Sequence, residues 1–160
     1  MTPLSEILQS STPIVADSYA LYGLATAHGP ASGALREAVE EGRLTLTIPS
    51  VVLAVAHSMR CCGEEDCSQD HDPASPARLD TLCGLPGVEV ATLDGPSAAK
   101  AGSLYGACVE ANYHGAEILA ACHATAVAHE RRHRLLTTAR ARYCYVLADF
   151  HVLDGRKVIL

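Results

Sequence analysis

Short apolar runs separated by helical patterns constrain the fold of this chain more than any other feature. The run Ile14–Ala16 is apolar and is followed by Asp17. Residues 44–48 alternate and are rich in β-branched side chains, a pattern typical of a strand. Further strands are predicted at residues 88–93, 134–137 and 157–160. Because helical patterns fill the intervals, the chain is predicted to be an α/β protein: a three-layer α/β/α domain with a central, mainly parallel sheet.

Proline, glycine and capping residues mark the ends of the predicted helices. Thr2-Pro3 opens the first, Gly42 closes the third, and Gly115 separates the two long helices in the second half. The predicted helices cover residues 2–9, 18–27, 34–41, 51–59, 78–82, 97–112, 117–132 and 140–147.

Length and composition favour one folded domain over residues 1–160. The chain has 160 residues, of which 49% are hydrophobic and 19% charged, so it has enough apolar surface to form a core and is not expected to be disordered. With no Trp and one Phe, that core must consist of Ala, Val, Leu and Ile.

Charge is distributed unevenly along the chain. The formal net charge is −6; the first hundred residues carry 13 acidic and 5 basic side chains, and the last sixty carry 5 and 7. This balance argues against a protein that coats nucleic acid broadly, but it leaves a local basic patch near the C-terminus.

The cysteines and the N-terminus indicate a cytoplasmic protein with reduced thiols. Residues 1–15 contain no Lys or Arg, unlike a secretory signal, and no apolar run approaches the ~18 residues of a membrane span. The seven cysteines are an odd number, and Cys108 and Cys122 lie in helical patterns where cysteine acts as a small apolar residue.

Residues 61–76 form an acidic, cysteine-rich stretch without periodicity, which predicts a loop. Cys61, Cys67 and His71 have a spacing that zinc would accept, but standard zinc modules pair closely spaced ligands twice, and that pattern is missing. A flexible loop with free thiols is the favoured interpretation. A redox role for Cys61 and Cys62 is disfavoured by the neighbouring acids, which oppose thiolate formation.

Asp17 is the first candidate for a functional residue. In parallel sheets functional groups gather at the carboxyl ends of strands, where Asp17 is expected. Its side chain would either bind a metal ion or cap the following helix, since Asp is a preferred capping residue.

Four segments in register resemble a PIN domain over residues 14–160. Residues 14–21 resemble the family's first strand, which ends in Asp followed by Ser or Thr, a variable residue and Ala. Residues 46–54 are similar to its second strand and next helix, residues 117–124 to the helix carrying its third acid, and residues 134–138 to the strand before its fourth. The resemblance implies a Mg²⁺- or Mn²⁺-dependent ribonuclease of the VapC-like toxin type, often a homodimer with an antitoxin partner.

The sequence departs from that family at its acidic positions. Val55 and Ala139 stand where the resemblance implies the second and fourth acids, and Glu117 stands where the third is usually Asp. Asp17 and Glu117 remain as residual catalytic and metal-binding residues. Two carboxylates suffice to hold one Mg²⁺ weakly with substrate phosphates present, whereas a two-ion centre is poorly supported.

A basic cluster near the C-terminus is the candidate nucleic-acid surface. It comprises Arg131, Arg132, Arg134, Arg140 and Arg142. These side chains would contact phosphates beside the acidic site, or they are solvated charges favoured at a helix end; the second interpretation is preferred. Tyr143 and Tyr145 are weaker candidates for stacking on bases, and His123 for the mouth of the pocket, although a hydrogen-bonded helix histidine is favoured.

The leading hypothesis is a degenerate PIN-domain protein with weak or no nuclease activity. It would act by binding RNA or, preferably, a protein partner, and it would form a homodimer with no membrane association. The alternative is a Mg²⁺-dependent endoribonuclease that uses Asp17 and Glu117. No Gly-x-Ser-x-Gly turn is present, so no nucleophile–base pair is indicated, and without a phosphate-binding glycine loop a nucleotide-cofactor enzyme is disfavoured.

Overall fold

A five-stranded parallel sheet forms the centre of the molecule. The computed structural model describes residues 4–9, 12–26, 30–59, 74–137, 143–148 and 152–154. The strands are β1 (Ile14–Ala16), β2 (Leu46–Pro49), β3 (Val88–Ala91), β4 (Arg134–Thr137) and β5 (Val152–Asp154). Their order is β3-β2-β1-β4-β5, and every pairing is parallel. The α/β class and the parallel sheet predicted from the sequence are confirmed.

The helices connect these strands as βα units. In the described part of the chain they are α1 (Leu4–Gln9), α2 (Ser18–Thr26), α3 (Pro30–Glu40), α4 (Ser50–Ser58), α5 (Ser75–Cys83), α6 (Gly95–Glu110), α7 (Ala116–Arg131) and α8 (Tyr143–Ala148). Among the described residues, no helix is long and apolar enough to cross a membrane.

The register of the central strands defines two edges of the sheet. Ile14 in β1 is level with Leu46 in β2 and with Arg134 in β4. Ala16 is level with Leu136, so Asp17 follows the carboxyl ends of β1 and β4. Arg134 starts β4 and therefore lies at the opposite, amino edge.

The core is built from aliphatic and small side chains. All residues of β1 and β2 are buried. In α7, nine consecutive residues from Ala120 to Ala128 are buried, so the helix is enclosed on all sides and shows no polar stripe. Five of these nine residues are alanine, which lets neighbouring elements approach closely.

Several element boundaries differ from the sequence prediction. Helix α3 begins at Pro30, four residues earlier than predicted, because proline is favoured in the first helical turn. Helix α5 begins at Ser75, so residues 75 and 76 of the predicted 61–76 loop are helical. Residues 61–73 of that loop and the predicted strand at residues 157–160 lie outside the described residues. Strand β5 was not predicted.

Candidate functional site

Asp17 links the end of β1 to the start of α2. Its backbone N–H donates to the Leu136 carbonyl oxygen at 3.0 Å, which extends the β1–β4 pairing. Its side-chain Oδ1 accepts from the backbone N–H of Ala20 at 2.8 Å, the third residue of α2. The capping interpretation of Asp17 is therefore confirmed: the carboxylate satisfies one of the amides left open at the start of the helix.

The second carboxylate oxygen is held by two hydroxyl groups. Thr137 at the end of β4 and Tyr145 on α8 both donate to Asp17 Oδ2, the tyrosine hydroxyl at 2.5 Å. The exposed fractions are 1% for Asp17, 0% for Thr137 and 3% for Tyr145. The carboxylate thus lies in the core with three donors from three elements, the arrangement that a buried polar group requires.

Sequence reasoning missed both hydroxyl donors. Thr137 and Tyr145 are 120 and 128 residues from Asp17 along the chain, so no local pattern connects them. Tyr145 was predicted as a candidate for base stacking, but its ring is buried and its hydroxyl is directed at Asp17. In this structure Tyr145 is not available to nucleic acid, because the ring faces the core.

Glu117 and Val55, two other positions of the predicted acidic centre, differ from Asp17 in their surroundings. Glu117 is exposed in the first turn of α7, where the helix dipole favours a carboxylate. Val55 on α4 is 8% exposed and packs in the hydrophobic core, so that position contributes an apolar surface. Among the described residues, no group of three or more His, Cys, Asp or Glu side chains has the arrangement of a metal site.

The residues at Asp17 do not fit a divalent cation in this arrangement. Mg²⁺ takes oxygen ligands in near-octahedral geometry. Here one oxygen of Asp17 faces an amide hydrogen, and the other faces two hydroxyl hydrogens. These three hydrogen bonds use three of the carboxylate's roughly four lone-pair sites, and Asp17 is 1% exposed, so the described residues leave little room for the oxygen ligands and waters that Mg²⁺ requires.

His123 is a buried polar side chain of a different kind. It lies in the middle of α7, is 0% exposed, and neither ring nitrogen has a hydrogen-bond partner among the described residues. Burial lowers the pKa of His123, and the negative charge of Asp94 opposes that shift. The hydrogen-bond partner predicted for this helix histidine is not found among the described residues, and a side chain that is 0% exposed does not lie at the mouth of a pocket.

Three arginines of the basic cluster, Arg131, Arg132 and Arg134, lie among the described residues. Arg134 begins β4 at the amino edge of the sheet and pairs with Glu6 at 3.6 Å. Arg131 pairs with Glu89 on β3 at 2.6 Å. Arg132 is exposed and caps α7 in the left-handed conformation, with φ of 55°. Arg134 therefore starts β4 at the end opposite to Asp17, and nucleic-acid binding by these arginines stays a prediction.

Several predicted site residues lie outside the described residues. They are Cys61, Cys67, His71, Ala139, Arg140 and Arg142. The zinc alternative, the lost fourth acid and the second half of the basic cluster therefore stay predictions.

Two of the surface clefts in the described part of the chain have a mainly apolar lining. One, of about 520 Å³, lies between α2, α3 and α5. Its floor is apolar, and its polar lining includes Arg36, Glu40 and Arg78. The other, of about 480 Å³, lies between α6, α7 and α8, and Lys100 and His129 are among its lining residues. Clefts with an apolar floor and few charged groups are where ligands or partner side chains bind.

Comparison with known proteins identifies the fold but not a family. No protein-family model and no curated protein matches the sequence. Among solved structures, the chain is similar to VapBC2 from Rickettsia felis bound to a DNA fragment from their promoter, with a TM-score of 0.58 and 14% identity over 88% of this chain and 96% of that chain. It is also similar to FitAcB from Neisseria gonorrhoeae, with a TM-score of 0.56 and 13% identity over 89% and 98% of the two chains. The chain therefore has a PIN-like α/β fold.

Proposed function

We propose that this chain is a PIN-like protein with weak or no nuclease activity that acts by binding an antitoxin-like protein partner. The observation that carries the proposal is the state of the Asp17 carboxylate. It is the acid that the PIN resemblance places at the centre of catalysis, yet its oxygens serve a helix cap and two buried hydroxyl groups. The same side chain stabilises the fold and is closed to substrate.

The surroundings of Asp17 support this function. Val55 packs in the core where the resemblance implies an acid, and Glu117 is exposed on another element. Cleavage of a phosphodiester by metal ions requires carboxylates that fix the ions against the attacking and leaving oxygens. The described residues supply a structural acid and a surface acid, which is a poor basis for that chemistry.

A protein partner is favoured over RNA for two reasons. First, two described arginines of the basic cluster already form ion pairs within the protein: Arg131 with Glu89, and Arg134 with Glu6. An RNA phosphate would have to compete with these carboxylates. Second, one of the structures with this fold is a VapBC2 assembly, and toxin–antitoxin complexes of this kind join the fold to a second protein. Binding of RNA and formation of a homodimer are further proposals, and the purified proteins of the following experiments would test them as well.

The test of the catalytic part combines a ribonuclease assay with Mn²⁺ and Mg²⁺ titration calorimetry. Wild type, Asp17→Asn and Tyr145→Phe are measured together, with Tyr105→Phe as a matched control because Tyr105 is a tyrosine remote from Asp17 whose hydroxyl accepts from Gly115 N–H. We expect no cleavage that depends on Asp17 and no cation binding that Asp17→Asn removes.

The opposite result would restore the enzyme alternative. Cleavage that requires Mg²⁺ and disappears in Asp17→Asn, but not in the Tyr105 control, would support a Mg²⁺-dependent endoribonuclease using Asp17, and its loss in Glu117→Gln as well would assign the second carboxylate. Increased activity in Tyr145→Phe would show in addition that α8 restrains that activity.

The partner is proposed to dock in the cleft between α2, α3 and α5. Arg36 and Arg78 place two guanidinium groups around an apolar floor, against the single carboxylate of Glu40. A segment with apolar side chains and an acidic group would complement that lining, since guanidinium groups bind carboxylates in bidentate geometry.

Co-purification from the native host tests this docking site. Wild type and the exposed-arginine control Arg43→Glu should retain a stoichiometric partner, whereas Arg36→Glu and Arg78→Glu should lose it. Equal retention by all four proteins would contradict docking in this cleft.

A further inference from the structure

Three cysteines from three helices meet inside the core. Cys108 lies on α6, Cys122 on α7 and Cys144 on α8, and each is at most 1% exposed. The Sγ atoms of Cys108 and Cys122 are 3.9 Å apart, and the Cys144 thiol is hydrogen-bonded to Cys122. All three are free thiols. Cys122 is therefore the shared member of a three-thiol cluster.

Helix α8 connects this cluster to Asp17. Cys144 is followed by Tyr145, whose hydroxyl donates to Asp17. The helix has six residues, and its outer side carries Val146 and Leu147, which are 68% and 41% exposed. A short surface helix opens locally at a lower free-energy cost than an enclosed helix such as α7. Opening of α8 would expose Cys144 and leave Cys122 in place.

While α8 stays packed in place, the thiols of Cys108 and Cys122 have low reactivity. The hydrogen bond to Cys144, together with burial, raises the pKa of Cys122, and burial raises the pKa of Cys108. Because the thiolate is the reactive form and the thiols are shielded from solvent, these two thiols react slowly with peroxide while Cys144 is reduced and α8 is closed; once Cys144 is a sulfenic acid, the thiol hydrogen bond that raises the pKa of Cys122 is gone. Oxidation is therefore expected to begin at Cys144 when α8 opens to solvent.

We propose that Cys144 and Cys122 form a reversible disulfide when the protein meets hydrogen peroxide. The sulfur of Cys144 attacks one peroxide oxygen, the O–O bond breaks, and a sulfenic acid and one water form. When α8 closes again, the sulfur of Cys122 attacks the Cys144 sulfur, the S–O bond breaks and a second water leaves. The two thiols lose two electrons, which the peroxide accepts, and a dithiol reductant reverses the reaction by exchange.

The disulfide would tie α8 to α7 and hold Tyr145 over Asp17. This consequence does not depend on whether the protein cleaves RNA, because it concerns the position of α8. An oxidised protein should therefore show slower hydrogen exchange at the backbone amides of residues 143–148 than the reduced protein.

Peptide mapping of the full chain tests the proposal directly. Protein treated with hydrogen peroxide is alkylated without reduction and digested with trypsin and a glutamate-specific protease. Cleavage after Glu110, Glu117 and Arg142 places the three cysteines on three different peptides. We expect the Cys122 and Cys144 peptides to be joined with the loss of two hydrogens, and to separate on treatment with dithiothreitol.

Single variants distinguish the proposed pair from the other pairings. Cys122→Ala and Cys144→Ala should lose the cross-link, whereas Cys108→Ala and the half-buried control Cys83→Ala should keep it. A main product that joins Cys108 to Cys122, or oxygen addition without any cross-link at Cys144, would overturn the proposal. Should an alanine variant fail to fold, the wild-type peptide map decides the pairing by itself.

Discussion

The two ends of β4 hold charged groups in opposite ways. At its carboxyl end, one buried carboxylate, Asp17, accepts hydrogen bonds from neutral donors. At its amino end, Arg134 and the nearby Arg131 pair with exposed acids across 3.6 and 2.6 Å. Exposed pairs are screened by water and contribute about 0–1 kcal/mol, whereas a buried group that loses its partners costs several times more. The carboxyl end is therefore where the fold depends on polar side chains, although the amino end carries more charge.

Removal of the Asp17 carboxylate is the strongest test of this contrast. Asp17→Ala leaves the hydroxyls of Thr137 and Tyr145 and the N–H of Ala20 without their acceptor in the core. We expect the free energy of unfolding to fall by about 3 kcal/mol or more. Urea denaturation followed by circular dichroism measures it, and a loss below about 1 kcal/mol would contradict a structural role for Asp17.

Removal of one donor should have a smaller effect at the same site. Tyr145→Phe keeps the ring in the core and deletes a hydrogen bond to a carboxylate, which is worth about 1.5–3 kcal/mol. The Tyr105→Phe control deletes an exposed hydroxyl that accepts from Gly115 N–H at 3.3 Å, and it should change stability by less than about 0.5 kcal/mol. Equal losses in the two variants would remove the distinction between buried and exposed hydroxyls.

His123 tests the burial of a side chain that has no hydrogen-bond partner among the described residues. Because burial lowers its pKa in the folded state, the unfolded chain binds a proton near its ordinary value of about 6.5 while the folded chain does not. Stability should therefore fall as the pH drops below about 6.5, by up to about 1.4 kcal/mol per pH unit, and level off below the folded-state pKa.

The measurement for His123 is the free energy of unfolding between pH 7 and 5. His123→Leu should reduce this dependence, and the remainder is expected from His133, whose pKa burial also lowers; His129→Gln, which changes an exposed histidine on the same helix, is the control. The same slope in wild type and His123→Leu would show that another group causes the dependence.

The ion pair at the amino end should give the smallest effect. A double-mutant cycle of Arg131→Ala and Glu89→Ala is expected to yield a coupling of about 0.2–1 kcal/mol that decreases with added salt. A coupling above about 2 kcal/mol, or one that salt does not change, would mean that this end of the sheet is as important to the fold as Asp17.

Local sequence pattern predicted most of the fold. The strands at Ile14–Ala16 and Arg134–Thr137 were predicted with their observed bounds, since short apolar runs beside turn residues report a buried strand. The boundaries of α3 and α5 were missed because capping and proline effects compete over several residues. Strand β5 has three residues and gains its definition from pairing with β4, which no local window contains.

The candidate site, like the fold, was predicted only in part from the sequence. By itself the sequence determined that Asp17 follows a buried strand at the carboxyl edge of a parallel sheet, and the PIN resemblance predicted that Val55 stands at an acidic position of that family. Only the tertiary structure decided what Asp17 does there, because its hydroxyl donors come from β4 and α8, more than a hundred residues away. Only the tertiary structure also enclosed His123 with no hydrogen-bond partner among the described residues, set Arg134 at the amino end of β4 and gathered Cys108, Cys122 and Cys144. Periodicity records which side chains face the core, but contacts between distant elements depend on how those elements pack.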